Sequence, residues 1–327
     1  MSLHSLYHPE IFQGNLKKDN YFEGWYFKQV SSDFNSVLSV IPGVSLAKDR
    51  HAFIQVIDGI SGATYYIEYP VAEFSAGSGK SILQIGENRF GSDGIDLNID
   101  RPELRLSGRL GFLQPVTWPR RPWAPGIMGW YSFVPQMECY HAVVSMDHSI
   151  NGELHYQDQK MNFNGGRGYI EKDWGTSMPE SWIWLHTNTF ESQGTSVMLS
   201  IAKIPWRKSF FAGFIAFMLH QGNIYRFATY NGSRITSFHL YNQDLQVILR
   251  NRNFSLEIKA HQKIAGKLKA PVKGLMERYI KESIDSDVEI KLTNNSGTPI
   301  FAGAAQRSGL ELVGEPESLI QLPIDSA

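Results

Sequence analysis

The chain has 327 residues, 42% hydrophobic and 13% aromatic but only 19% charged, which suits two ordinary cores and argues against long disordered tracts. With 31 Lys and Arg against 32 Asp and Glu, no net field favours nucleic acid or another polyanion. The single cysteine, Cys139, excludes an internal disulfide and a cysteine-based zinc cluster, and fits a reducing compartment.

Met1 to Asn20 has no apolar run, so no secretory signal is expected. The next feature, Phe22-Glu23-Gly24-Trp25-Tyr26-Phe27 followed by Ser36 to Val40, recurs as Glu180-Ser181-Trp182-Ile183-Trp184 followed by Ser196 to Ser200. Phe53 to Ile57 and Thr64 to Glu68 answer Phe214 to Leu219 and Ile224 to Thr229. Leu113-Gln114-Pro115-Val116 answers Lys269-Ala270-Pro271-Val272. The shared order of these weak matches implies an internal duplication. On this reading the mate of Tyr169 to Gly175 is the bland run Phe301 to Ala305.

Within each half, short runs alternate apolar and polar residues, as in Asn253 to Lys259. Turn pairs punctuate them: Asp58-Gly59, Asp93-Gly94, Asn151-Gly152, Gln221-Gly222 and Asn231-Gly232. The expected fold is all-β, two tandem lipocalin-like antiparallel β-barrels over residues 1–177 and 178–327, each opening on a Trp-bearing strand. Phe210 to Leu219 is about half the length a spanning helix needs and reads as a buried strand. Val272, Leu275, Met276, Tyr279 and Ile280 have helical spacing and predict one short basic helix near the C-terminus. Leu110 to Gly126 is a proline-rich connection whose Trp118 and Trp123 are expected to cover a barrel end.

Several motifs lead nowhere. Ala76-Gly77-Ser78-Gly79-Lys80-Ser81 has Phe74 where a phosphate loop needs its first glycine, and reads as a flexible turn. Gly165 to Gly168 lacks dinucleotide spacing. Glu138 and His141, beside Asp147 and His148, lie on opposite faces of a strand, so neither metal nor cofactor is expected.

The segment with chemistry is Gly166-Arg167-Gly168-Tyr169-Ile170-Glu171-Lys172-Asp173-Trp174-Gly175. Alternation puts Tyr169, Glu171 and Asp173 on one face and Ile170, Lys172 and Trp174 on the other. A phenol beside two carboxyls can handle protons, because like charges and burial both raise a carboxyl pKa. The competing reading is an ion-pair network closing a barrel end, with Lys172 or Arg167 balancing the acids.

Phe22 to Lys28, Tyr169 to Gly175, Trp182-Ile183-Trp184 and Leu268-Lys269-Ala270-Pro271 together resemble the tocopherol cyclase family. More distantly the chain resembles carotenoid hydratases, which have an acidic residue, Trp and Gly where Glu171 to Gly175 stand. The resemblance implies duplicated lipocalin-like barrels and a cofactor-free cyclisation, in which a prenylated hydroquinone is protonated on an alkene and closed by its phenol to a chromanol. It implies Glu171 as the acid, with Asp173 and Glu23 as further catalytic acids. Trp25, Trp174 and Trp184 become walls for a cation, and Tyr26, Tyr169 and His141 substrate contacts. Plant-type cyclases carry Asn at the Asp173 position, which makes Asp173 the weaker match; they also carry transit peptides, which this chain is read as lacking, so a bacterial, cytoplasmic protein is expected. The partner implied is a hydrophobic small molecule, a prenylquinol or other isoprenoid, with room for peripheral membrane contact. A non-catalytic carrier of such a ligand and a carotenoid hydratase-like enzyme are the alternatives.

Overall fold

The structure, a computed structural model, describes residues 3–77, 81–135, 137–206 and 209–320. Met1-Ser2 and the Ser78-Gly79-Lys80 turn lie outside the described residues.

After a one-turn helix α1 (Leu3–Tyr7), the chain is built almost wholly of strands. The first sheet uses β1 (Tyr21–Val30), β2 (Val37–Leu46), β3 (His51–Asp58), β4 (Thr64–Pro70), β5 (Phe74–Ala76) and β6 (Ser81–Ile85). It continues through β7 (Asn88–Gly91), β8 (Gly94–Asp100), β9 (Arg105–Val116), β10 (Cys139–Tyr156), β11 (Gln159–Asn162) and β12 (Gly166–Gly175). The second sheet uses β13 (Trp182–Thr187), β14 (Ser196–Trp206), β15 (Ser209–His220), β16 (Asn223–Ala228) and β17 (Arg234–Tyr241). It continues through β18 (Asp244–Arg250), β19 (Phe254–His261), β20 (Gly266–Val272), β21 (Leu275–Asn294) and β22 (Pro299–Val313).

Strand order makes the duplication explicit. The first sheet runs β4-β3-β2-β1-β12-β10-β9-β8-β7-β6-β5, and the second β16-β15-β14-β13-β22-β21-β19-β18-β17. Each curls round its own core. Trp25, Phe27, Phe90, Phe112, Ile170 and Trp174 fill the first, and Ile183, Leu185, Phe217-flanking Met218, Leu256, Ile290 and Leu310 the second. By compactness the chain divides into Met1–Met178 with Gly266–Ile280, and Pro179–Ala265 with Lys281–Ala327.

Three expectations are corrected. The C-terminal helix is a β-hairpin, because β20 turns into β21 through Lys273 and Gly274, both left-handed (φ +49° and +81°), the conformation of a two-residue type I′ turn. Gly274 is obligatory there, since a Cβ would meet the Tyr21 amide nitrogen at 2.6 Å. Beyond the turn Met276 and Ile280 are buried while Glu277, Tyr279 and Lys281 are exposed, a two-residue period in place of the helical one. Asn151-Gly152 is not a turn but the middle of β10, where Gly152 passes so close to β9 that a Cβ would meet the Arg109 carbonyl at 2.2 Å. The third concerns the mate of Tyr169 to Gly175. β22 stands between β13 and β21 as β12 stands between β1 and β10. Glu171 is flanked by Tyr26 and Val143, and Glu311 by Trp184 and Glu282, with a bulge close by on β10 and on β21 respectively. Glu311, not the Phe301 to Ala305 run, is therefore the counterpart of Glu171.

Candidate functional site

β12 has two chemically opposite faces. Toward the first barrel's interior, Lys172 and Glu23 form an ion pair at 2.5 Å, both fully buried. Glu23 also accepts from the Tyr21 hydroxyl (2.5 Å) and the amides of Gln13 (2.8 Å) and Gly14 (3.0 Å). Lys172 donates to the carbonyls of Pro9 (2.8 Å) and Ile11 (2.5 Å) and lies 4.7 Å from the ring centroids of both Trp25 and Trp174. Trp25 donates its indole N–H to the Glu10 carbonyl at 2.9 Å. Burial holds Lys172 below the usual lysine range even though Glu23 pulls the other way. The segment from Pro9 to Gly14 is thus tied to the barrel by charge, and Glu23 is saturated with donors. Glu23, Trp25 and Trp174 belong to this network, which differs from the one expected from sequence: Lys172 pairs with Glu23 and Arg167 with Asp147, in place of Glu171 and Asp173.

The other face of the same strands holds a separate cluster. Alternation and the β1–β12–β10 register bring Tyr26, Tyr169, Glu171, Asp173 and His141 together, with Tyr26 opposite Glu171 and His141 opposite Asp173. His141 Nδ1 contacts Asp173 Oδ1 at 2.9 Å, and its Nε2 lies 3.7 Å from Glu171 Oε2. Tyr169 donates its hydroxyl to Glu171 Oε2 at 2.6 Å, and Cys139 Sγ lies 3.8 Å from Asp173 Oδ1. The Ser39 hydroxyl donates to Tyr26 at 3.0 Å. Glu171 is 5% exposed and Tyr169 not at all, while the Asp173 side chain keeps 23% of its surface.

Electrostatics sets the protonation of this cluster. Burial alone disfavours a charged His141, but Asp173 and Glu171 outweigh it and push the ring up to about 9, so it carries two protons at neutral pH. Burial and the neighbouring Glu171 raise Tyr169 well above the usual phenol range, which keeps it a donor. His141, Glu171 and Asp173 offer ligand atoms within 4.8 Å of one another, near enough for a metal ion. An ion there must first displace the imidazolium proton.

Of the residues singled out from sequence, Glu171, Asp173, Tyr26, Tyr169 and His141 meet. Glu23, Trp25 and Trp174 sit on the opposite side of the sheet. Trp184 lies in the second unit, 6.4 Å from the His186 ring and packed over Gly309. Sequence reasoning missed His141 as the hub of the cluster. It also missed Glu311, which accepts from the Trp182 indole and stands opposite the buried Glu282. Strand pairing, rather than linear offset, was the cue that finds it.

Fold and site define a duplicated lipocalin-like barrel protein with a buried acid–imidazole cluster on one sheet. Among solved structures it is similar to CghA bound to Sch210972 (TM-score 0.56, 10% identity, 90% of this chain and 89% of that one). It is similar also to kievitone hydratase from Nectria haematococca (TM-score 0.52, 9% identity, 89% and 88%). The tocopherol cyclase-like family model matches residues 113–314, and the chain belongs to that family. The relatives include "Tocopherol cyclase, chloroplastic" of Zea mays, 21% identical over 199 residues, and "Probable tocopherol cyclase, chloroplastic" of Oryza sativa subsp. japonica, 22% identical over 200. These matches span 58% of this chain and 42% of each plant protein.

Proposed function

We propose that the protein is an acid-catalysed cyclase or hydratase of an isoprenoid, with the Tyr169–Glu171–His141–Asp173 cluster as its proton store. The observation that carries this reading is the buried Glu171 carboxyl poised between a phenol donor and an imidazolium. Asp173 accepts from Nδ1 and fixes the position of His141, and the Nε2 proton faces Glu171. Passed to Glu171, that proton makes a neutral, poorly solvated acid, the species alkene protonation requires. Glu171 then protonates the nearer alkene carbon of the substrate and leaves a tertiary cation. Attack by the substrate's own phenol oxygen closes a chroman ring; attack by water gives a tertiary alcohol instead. In either case the oxygen loses a proton, which returns to Glu171 and leaves the cluster unchanged. Family membership favours ring closure and a prenylated hydroquinone.

The test is conversion of a phytylated benzoquinol to a chromanol by purified protein, followed by chromatography after exhaustive chelation of metals. Glu171→Gln is expected to lower turnover by ~100-fold or more, within the range of a general acid, while substrate binding persists. Full activity in that variant removes Glu171 from the role. Tight binding without product by the wild-type protein favours a carrier instead.

A further inference from the structure

The first barrel's interior contains a polar spot that neither the Lys172–Glu23 network nor the acid cluster uses. Gln29 on β1 and His148 on β10 both pair with Gly168 of β12, one from each side. Both are buried, Gln29 fully and His148 at 1% exposure. The Gln29 amide oxygen and nitrogen and His148 Nε2 have no hydrogen-bond partner among the described residues. Buried polar atoms are nearly always satisfied, so three unpartnered ones on the two strands that flank β12 call for a guest that offers both a donor and an acceptor.

Gly168 is what brings them together. A Cβ there would lie 2.2 Å from His148 Nε2, so the imidazole crosses β12 through the space a side chain would occupy, toward β1. Strands are ~4.8 Å apart, so one guest atom can reach both side chains. Phe112 packs against His148 with ring centroids 4.3 Å apart, and Phe27 stands beside Phe112 at 6.3 Å and Phe90 at 5.6 Å. In the second barrel Ser286 of β21 pairs with Ser308 of β22, both fully buried and both with unpartnered hydroxyls.

The hydrogen-bond network fixes what the guest offers. With the Ser145 hydroxyl assigned as donor to the Asp147 carbonyl (3.3 Å), the proton of its 2.9 Å contact with His148 is assigned to Nδ1. That leaves Nε2 as a bare acceptor. Burial drives the His148 pKa down to about 3, so the ring is neutral at any physiological pH. We infer that Gln29 and His148 form a site inside the first barrel for a neutral hydroxyl-bearing apolar molecule, an alcohol or phenol, whose O–H donates to His148 Nε2 and whose oxygen accepts from the Gln29 amide. The hydrocarbon part lies among Phe27, Phe90 and Phe112. A carboxylate lacks the proton that Nε2 needs and would be buried without a countercharge.

The experiment is titration of the full chain, carrying ring-15N histidine, with 1-dodecanol and separately with dodecane. Dodecanol is expected to shift the His148 Nε2 resonance saturably and to bind at least ~10-fold more tightly than dodecane, the difference one satisfied buried hydrogen bond makes. Gln29→Leu and His148→Phe should each abolish that preference, and Gln29→Met, closer in shape, guards against misfolding of the first variant, with circular dichroism as the check. Equal affinity for both probes, or an unmoved His148 resonance with dodecanol present, overturns the proposal. The readout involves no turnover, so its failure leaves the Glu171 reading standing, and failure of Glu171 leaves this one standing.

Discussion

At the scale of single residues, His141 is the group whose charge the surroundings decide. Its folded pKa of about 9 lies above the unfolded value of about 6.5, so its pairing with Asp173 and Glu171 stabilises the fold fully below pH ~6.5. That contribution is lost as pH rises through about 9. Turnover is expected to fall over the same rise, because deprotonated His141 has no proton to pass to Glu171. Asp173→Asn removes the nearer carboxylate and leaves burial to dominate, so the His141 pKa should drop; NMR titration of the ring measures it, and an unmoved value refutes the assignment. Glu171 and Asp173 were legible in the sequence because alternation alone sets them on one face. The partnership with His141 was not, since residues 32 apart meet only through the β10–β12 register.

At the scale of elements, the hairpin at Lys273-Gly274 shows how helical spacing deceives. Apolar residues at i, i+3, i+4 and i+7 also fit a strand whose faces are both partly covered, and a turn needing two positive φ angles decides between them. Gly274→Ala should destabilise the protein by ~1–3 kcal/mol in chemical denaturation, because the added Cβ meets the backbone of Tyr21 and the left-handed conformation becomes strained. A neutral effect would mean the hairpin adapts. Asn151-Gly152 misled for a related reason. Its glycine serves a close strand approach rather than a turn, and a dipeptide cannot distinguish the two.

At the scale of the whole molecule, the repeated strand order was legible because each unit kept its opening Trp-bearing strand and its turns. The match for Glu171 was misplaced because loops between strands changed length while pairing did not. The first unit also holds a buried ion pair in an otherwise apolar core. Lys172→Met should cost about 3–5 kcal/mol by removing the cation that faces buried Glu23, and adding Glu23→Gln should restore part of the loss. Additive losses in the double variant would show that the two residues act independently.

The back-to-back faces of β12 have a consequence for folding fidelity. Neighbouring residues Glu171 and Lys172 point to opposite sides, so sliding β12 by one residue against β1 would exchange them. The slipped sheet would drive Glu171 into the aromatic interior without its cation and bury Lys172 where the acid belongs. Such a competitor pays two desolvation penalties at once, so the same charges that equip the site also proofread the strand's alignment.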